Sequence, residues 1–88
     1  MTEARLNAEV VKALRGIGAF AMKIHGCGYQ EHSVDILGCY NGRAFAIEGK
    51  LKGDATPAQW TVMRRWQAAG AIVGVYHSVD EALDLVTK

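Results

Sequence analysis

The hydrophobic and polar positions of the chain follow two periods, and the changes of period divide it into helices and strands. Apolar residues at three- and four-residue spacing predict a first helix over residues 3–17. Alternation over residues 19–25 and two apolar runs over 34–40 and 43–50 predict three strands. The apolar stripe of the first helix contains Leu6, Val10, Ala13, Leu14 and Ile17.

The second half of the chain predicts a helix, a strand and a last helix. Thr56 and Gln59 have the spacing of a capping box, and Pro57 suits the first helical position, so a helix begins there and runs to about residue 69. Its expected buried side holds Trp60, Met63 and either Trp66 or Gln67. The continuous apolar run over 71–76 predicts a strand covered on both faces, and residues 79–86 predict the last helix.

The element order α-β-β-β-α-β-α predicts an α/β fold with a mixed four-stranded sheet flanked by helices. The first three strands should form an antiparallel meander, and the fourth should reach the sheet through a helical crossover, parallel to its neighbour. With 88 residues and no repeat or linker, the chain is expected to be one domain over residues 1–88.

An Asn41-Gly42 pair between two apolar runs predicts a tight hairpin, because a type I′ turn needs positive φ at both central residues. With these two residues as the loop, Asp35 faces Glu48. Side chains alternate along a strand, so Asp35, Glu48 and Lys50 should share one face of the sheet.

Two carboxylates directly opposite each other repel, and a sheet built only for stability would avoid that pairing. A divalent cation between them would replace repulsion by ligation, since oxygen ligands suit magnesium and manganese. The alternative at this stage is a partly exposed pair of acids relieved by Lys50.

Composition narrows the class of ligand and the setting. The formal net charge of +1 gives no global basic field, so an anionic ligand needs a local patch or two patches combined in a dimer. Small domains also often gain stability by oligomerising. No signal peptide or membrane-length apolar run is present, and an intracellular protein, neither secreted nor membrane-bound, is expected.

Two other kinds of site find little support. The residues His25, Cys27, His32 and Cys39 lack the spacing of a zinc site. The two cysteines do not look like a disulfide framework. The glycines form no dinucleotide fingerprint, so no organic cofactor is expected. The Gly-rich segment 26–33 reads as a loop.

Asp35 followed by Glu48-Gly49-Lys50 at the end of the next strand resembles the PD-(D/E)xK nuclease motif, and the element order is similar to the core of that superfamily. The chain more narrowly resembles the virus-type replication-repair nuclease (VRR-NUC) domain, over nearly its whole length. The positions that carry this narrower resemblance are Gly18, the run Ser-Val-Asp-Ile-Leu at 33–37, the run Ile-Glu-Gly-Lys at 47–50, Gln59 and Gly70.

The resemblance implies a set of roles. Asp35 and Glu48 would bind Mg²⁺ or Mn²⁺ together with the Gly49 carbonyl. Lys50 would orient or polarise the attacking water, or stabilise charge growing on the phosphate. Gln59 matches the glutamine of the family.

The family also carries an acid in its first helix, and two positions depart from its pattern. Counting back from Gly18, Glu3 is the better match for that acid and Glu9 is the second choice. Val34 stands where proline is common. Gly49 stands where valine or leucine is commoner, which should loosen the strand at the site.

The function implied is that of a Mg²⁺- or Mn²⁺-dependent DNA endonuclease. It looks like a stand-alone, phage-type member acting on branched DNA as a homodimer, in the manner of Holliday-junction resolvases. The expected DNA contacts are Lys23, Lys52, Arg64 and Arg65, and the expected dimer interface lies around Trp60, Trp66 or the strand of Val73.

Two alternatives stay open. One is a nucleic-acid-binding or subunit-contacting module that keeps the nuclease fold without cleavage. The other is a helix–sheet domain whose acids hold no ligand.

Overall fold

The computed structural model describes residues 1–24 and 34–88. The predicted loop over 26–33, the residues His25, Cys27 and His32 weighed as zinc ligands, and Ser33 of the motif lie outside the described residues. The elements in chain order are α1 (Glu3–Gly16), β1 (Phe20–Lys23), β2 (Ile36–Tyr40), β3 (Arg43–Gly49), α2 (Pro57–Ala68), β4 (Ile72–Tyr76) and α3 (Val79–Thr87). The order is the predicted one.

The four strands form one sheet in the order β1-β2-β3-β4. The pairs β1–β2 and β2–β3 are antiparallel, whereas β3 and β4 run parallel after the α2 crossover. The mixed four-stranded sheet of the prediction is therefore confirmed, with its strands shortened by one or two residues at the ends.

The turn between β2 and β3 has the predicted chemistry. Asn41 has a φ of 52° and Gly42 a φ of 83°, the positive pair that a type I′ turn requires. The turn pairs residue 40 with 43 and Ile36 with Ile47. One step further along this register lie Asp35 and Glu48, as predicted.

The sheet is covered by α1 and α3 on one face and by α2 on the other. Phe45 and Ile47 are buried on the α1–α3 face, and Ala46 is buried on the α2 face. The stripe of α1 differs slightly from the prediction, since Asn7 and Val11 are buried whereas Ile17, its C-cap, is exposed.

The α2 helix covers only part of its face of the sheet, because it packs on β3 and β4. Phe20 and Met22 of β1 are 71% and 46% exposed, while Ala21 between them is buried against α1. They pair with Cys39 and Leu37 of β2, so these four side chains share the α2 face. We call Phe20, Met22, Leu37 and Cys39 the open-face patch.

The start of α2 confirms the capping box. Thr56 and Gln59 exchange hydrogen bonds between side chain and backbone, and Pro57 occupies the first turn. Met63 is buried as expected, but Trp66 is 38% exposed and Gln67 is exposed as well, so neither completes the buried side. Over the described residues, no helix is both long and apolar enough to cross a membrane.

Candidate functional site

Asp35 lies at a bend immediately before β2, where its backbone and side chain are both fixed. Its carbonyl accepts a hydrogen bond from the Ile24 N–H at 2.8 Å. Its Oδ2 accepts a hydrogen bond from the Gly49 N–H at 2.9 Å. The carboxylate of Asp35 is therefore tied to the strand that carries Glu48.

Glu48 is the only charged residue buried among the described residues, at 3% exposure. Its Oε2 has no hydrogen-bond partner there. Burial, followed by a hydrogen bond to Asp35 and the charge of Asp35, raises the pKa of Glu48 to about 9; the charge of Lys50 acts in the opposite direction. This raised pKa favours the protonated form of Glu48 at neutral pH in the absence of a bound cation.

Lys50 follows β3 directly and is half-buried. Its N–H donates to the Tyr76 carbonyl at 3.0 Å, which continues the pairing of β3 with β4 past the last strand residue. The structure thus brings Asp35, Glu48 and Lys50 together at one end of the sheet. Their catalytic and metal-binding roles stay predictions.

The two candidate acids of α1 have different surroundings. The charge of Glu3 acts on Glu48 and on Tyr76, raising both pKa values as a minor cause. Glu9 instead forms an ion pair with Arg5 at 3.6 Å on the helix surface. Electrostatics therefore favours Glu3 over Glu9 as the first-helix acid of the site.

The donor set fits a hard divalent cation held mainly by water. No group of three or more His, Cys, Asp or Glu side chains suited to a metal occurs within residues 1–24 and 34–88. Magnesium, however, is usually bound through one or two carboxylates and keeps several waters. Asp35, Glu48 with its unpartnered oxygen, and the Gly49 carbonyl supply oxygen ligands of that kind.

Gln59 has a structural role that accounts for its position. Its Oε1 accepts from the Thr56 N–H at 2.9 Å, and its own N–H donates to Thr56 Oγ1 at 3.2 Å. The side chain thus caps α2, just after the loop that follows Lys50. A role of Gln59 at the reacting phosphate stays a prediction.

The predicted DNA contacts lie in several places. Lys52 is exposed in the loop after Lys50, and Arg65 is exposed on α2. The Arg64 guanidinium lies 5.5 Å from the centroid of the Trp60 ring. Lys23 pairs with Ile36, whose side chain lies on the α1–α3 face of the sheet. Glu48 points to the other face, so Lys23 and Glu48 lie on opposite faces. Their contacts with DNA stay predictions.

The sequence analysis missed a histidine that holds the loop between Lys50 and α2. His77 Nε2 lies 2.6 Å from the Gly53 carbonyl oxygen, and its Nδ1 lies 2.9 Å from Glu81 Oε1. Both partners are acceptors, so only the imidazolium satisfies them both. The hydrogen bonds to Glu81 and Gly53 raise the pKa of His77 accordingly. The His-to-Glu spacing of four residues on a helix start was the available signal.

The sequence analysis also missed the close packing around Gly49. Gly49 is buried in β3 beside Tyr76 of β4, and the Tyr76 hydroxyl donates to Oδ1 of the buried Asn7. A Cβ at position 49 would lie 2.8 Å from the Tyr76 ring and closer still to Asn7 Oδ1. The glycine is therefore required by a close approach, and the expected loosening of the strand stays a prediction. An amide within the apolar stripe of α1 was the signal for Asn7.

Comparison with known proteins identifies the fold. No protein-family model matches the sequence, and no curated protein matches it significantly. A solved structure described as a VRR_NUC domain matches with a TM-score of 0.76 and 22% sequence identity. The match covers 97% of this chain and 94% of that chain. The chain therefore has the fold of a VRR_NUC domain, with its nuclease-like α/β core, as the resemblance predicted.

Replacing Glu48 by glutamine should flatten the pH dependence of stability in metal-free solution. Folded Glu48 keeps its proton up to about pH 9, whereas the unfolded group ionises above about 4.5. The contribution of Glu48 to the free energy of unfolding should therefore be fully present below pH 4.5 and be lost as pH rises towards 9. Between pH 5 and pH 8, the free energy of unfolding of Glu48→Gln should rise relative to that of wild type by up to about 1.4 kcal/mol per pH unit. Urea unfolding in EDTA at several pH values measures this difference.

The matched control for this experiment is Glu9→Gln, which changes an acid that pairs with Arg5 on α1, the helix that covers the opposite face of the sheet from Glu48. Its stability should run parallel to that of wild type across the same pH range. Parallel curves for Glu48→Gln as well would contradict the protonated state of Glu48.

Gly49→Ala should lower the free energy of unfolding by about 1–3 kcal/mol, because the added methyl group overpacks the contact with Asn7 and Tyr76. Gly16→Ala is the control. A Cβ at Gly16, the last residue of α1, meets no atom within 4 Å, so that change should stabilise by about 0.4–1 kcal/mol. Urea midpoints of both variants measure the effect, and equal midpoints would refute the close packing.

Proposed function

We propose that this protein is a Mg²⁺- or Mn²⁺-dependent DNA endonuclease that acts on branched DNA as a homodimer. The observation that carries the proposal is the buried carboxyl of Glu48, which lies against Asp35 across the hairpin with Lys50 beside it. A buried carboxyl with an unpartnered oxygen has a cost in free energy that a purely structural sheet has no reason to bear. The fold of a VRR_NUC domain supports the same function.

The residues divide the work of phosphodiester hydrolysis. Asp35, Glu48 and the Gly49 carbonyl would hold the cation, which would supply neutralisation of phosphate charge and activation of the attacking water. Glu48 must lose its proton to become a ligand, so metal affinity should rise with pH. Lys50 supplies a positive charge that need not contact the metal, and it orients the attacking water or stabilises the charge on phosphorus.

The DNA-binding surface extends from this site along α2. Lys52 lies in the loop that joins the site to α2, and Arg64 and Arg65 are exposed on the helix. Arginine and lysine contacts to phosphate position DNA without reading its sequence. This is the kind of contact that recognition of DNA shape requires.

A homodimer would double this modest basic surface and place two sites for paired incisions. Two residues of the expected interface, Trp60 and Val73, are partly buried in the core cluster of Met63, between α2 and the sheet. They are therefore less accessible to a second chain. Phe20 and Met22 of the open-face patch are exposed apolar side chains that lie next to each other on one face of β1. We place the dimer interface there, since contiguous exposed apolar residues mark sites of association.

Cleavage of a labelled DNA panel tests the activity. The panel contains a four-way junction, a flap, a splayed arm, a duplex and a single strand, each with Mg²⁺, Mn²⁺ or EDTA. We expect metal-dependent cleavage of the branched substrates. Asp35→Asn and Lys50→Ala should each lower the rate by about two orders of magnitude or more, because the first weakens a ligand of the proposed cation and the second removes a positive charge near the reacting phosphate.

Lys12→Ala and Asp80→Asn are the matched controls, because both residues are exposed on helices α1 and α3. They should leave the rate unchanged. Salt should weaken binding of DNA to the wild type through counterion release. Tight, metal-independent binding without cleavage of any substrate would instead identify a non-catalytic nucleic-acid-binding module on the same fold.

Sedimentation velocity at micromolar concentration tests the dimer. Wild type should sediment with twice the chain mass, and Phe20→Ser combined with Met22→Ser should sediment as a monomer, because the change removes the exposed apolar area. Leu51→Ser, at an exposed apolar residue outside the open-face patch, should stay dimeric. A monomeric wild type would reject the dimer.

A further inference from the structure

Two buried polar side chains that the proposed reaction does not use meet directly behind the metal-binding strand. Tyr76 is completely buried, and Asn7 is nearly so. The Tyr76 hydroxyl donates to Asn7 Oδ1, a bond between residues 69 positions apart that links α1 to β4 across β3. The residue that both side chains approach is Gly49.

The Gly49 peptide is held from several directions. Asp35 accepts the Gly49 N–H, while Tyr76 lies beside it in the parallel pair of β3 and β4. The Tyr76 carbonyl also accepts the N–H of Lys50, so Tyr76 contacts the motif through both its backbone and its side chain. The Asn7 carboxamide closes the remaining side.

The Tyr76 hydroxyl also lies within the electrostatic reach of the site. Burial, and after it the charges of Asp35, Glu48 and Glu3, raise the pKa of Tyr76 well above its usual range. The hydroxyl is a donor to Asn7 Oδ1. Outer groups that fix metal ligands in this way commonly matter as much for affinity as some ligands do.

We propose that Tyr76 and Asn7 are positioning residues of the active site. Together they occupy the space that a side chain at position 49 would take, and they fix the Gly49 peptide so that its carbonyl and the Glu48 carboxylate converge on one divalent cation. This inference rests on the proposed function, because it concerns the same metal site. It assigns to two residues outside the Asp-Glu-Lys motif a part in metal affinity.

Metal affinity and metal-free stability, measured on the same variants, test the inference. Tyr76→Phe removes one oxygen, and Asn7→Leu removes the acceptor while keeping a side chain of similar shape. Isothermal titration with Mn²⁺ gives the Kd, and thermal unfolding in EDTA gives the Tm. We expect each variant to bind Mn²⁺ about 10-fold or more weakly. Tyr40→Phe, at a half-buried tyrosine beside the hairpin turn, should bind as wild type does.

The outcomes separate this inference from the proposed function. If wild type binds no Mn²⁺, the proposed function fails and this inference fails with it. If wild type binds Mn²⁺ and a folded Tyr76→Phe or Asn7→Leu variant binds it equally well, this inference alone is overturned. A lower Tm in EDTA with an unchanged Kd for Mn²⁺ also overturns this inference, since Tyr76 and Asn7 would then have a purely structural role. If one variant does not fold, the other decides.

Discussion

The register of the β2–β3 hairpin is the constraint on which the rest of the sheet depends. A slip of one residue would turn Phe45 and Ile47 away from the core and carry Glu48 away from Asp35. The positive φ angles of the Asn41–Gly42 turn and the burial of the β3 side chains require the same pairing. Turn chemistry and core packing therefore act together to place the two acids opposite each other.

The opposed carboxyls of Asp35 and Glu48 would repel each other if both were ionised, and protonation of Glu48 lowers this unfavourable free energy. Glu48 is buried, and the charge of Asp35 lies across the hairpin, so the ionised form of Glu48 is disfavoured. A proton on Glu48 relieves the repulsion. In the proposed function, a divalent cation would relieve it in another way, by pairing with both carboxylates. The geometry that is poor for stability would then suit a site where a proton and a metal compete.

Much of this arrangement could be predicted from the sequence, because it depends on short-range signals. The Asn41–Gly42 pair predicted the register, the Thr56–Gln59 spacing predicted the capping box, and both are confirmed. Exposure was harder to predict, because it depends on how far α2 extends over the sheet. Alternation placed Phe20 on a face of β1 without showing that the face is left uncovered. Either Trp66 or Gln67 was expected to be buried, and both are exposed.

The environment of Gly49 shows why the site itself was only partly predictable. Read along the strand, a glycine at the centre of the motif weakens β3, since it offers no side chain to pack. In the folded chain, Tyr76 and Asn7 occupy that space, and they come from the two ends of the sequence. A local departure compensated by distant residues is typical of functional sites. The role of position 49 therefore depends on its neighbours in space, and its glycine is part of how the end of β3 is held against α1 and β4.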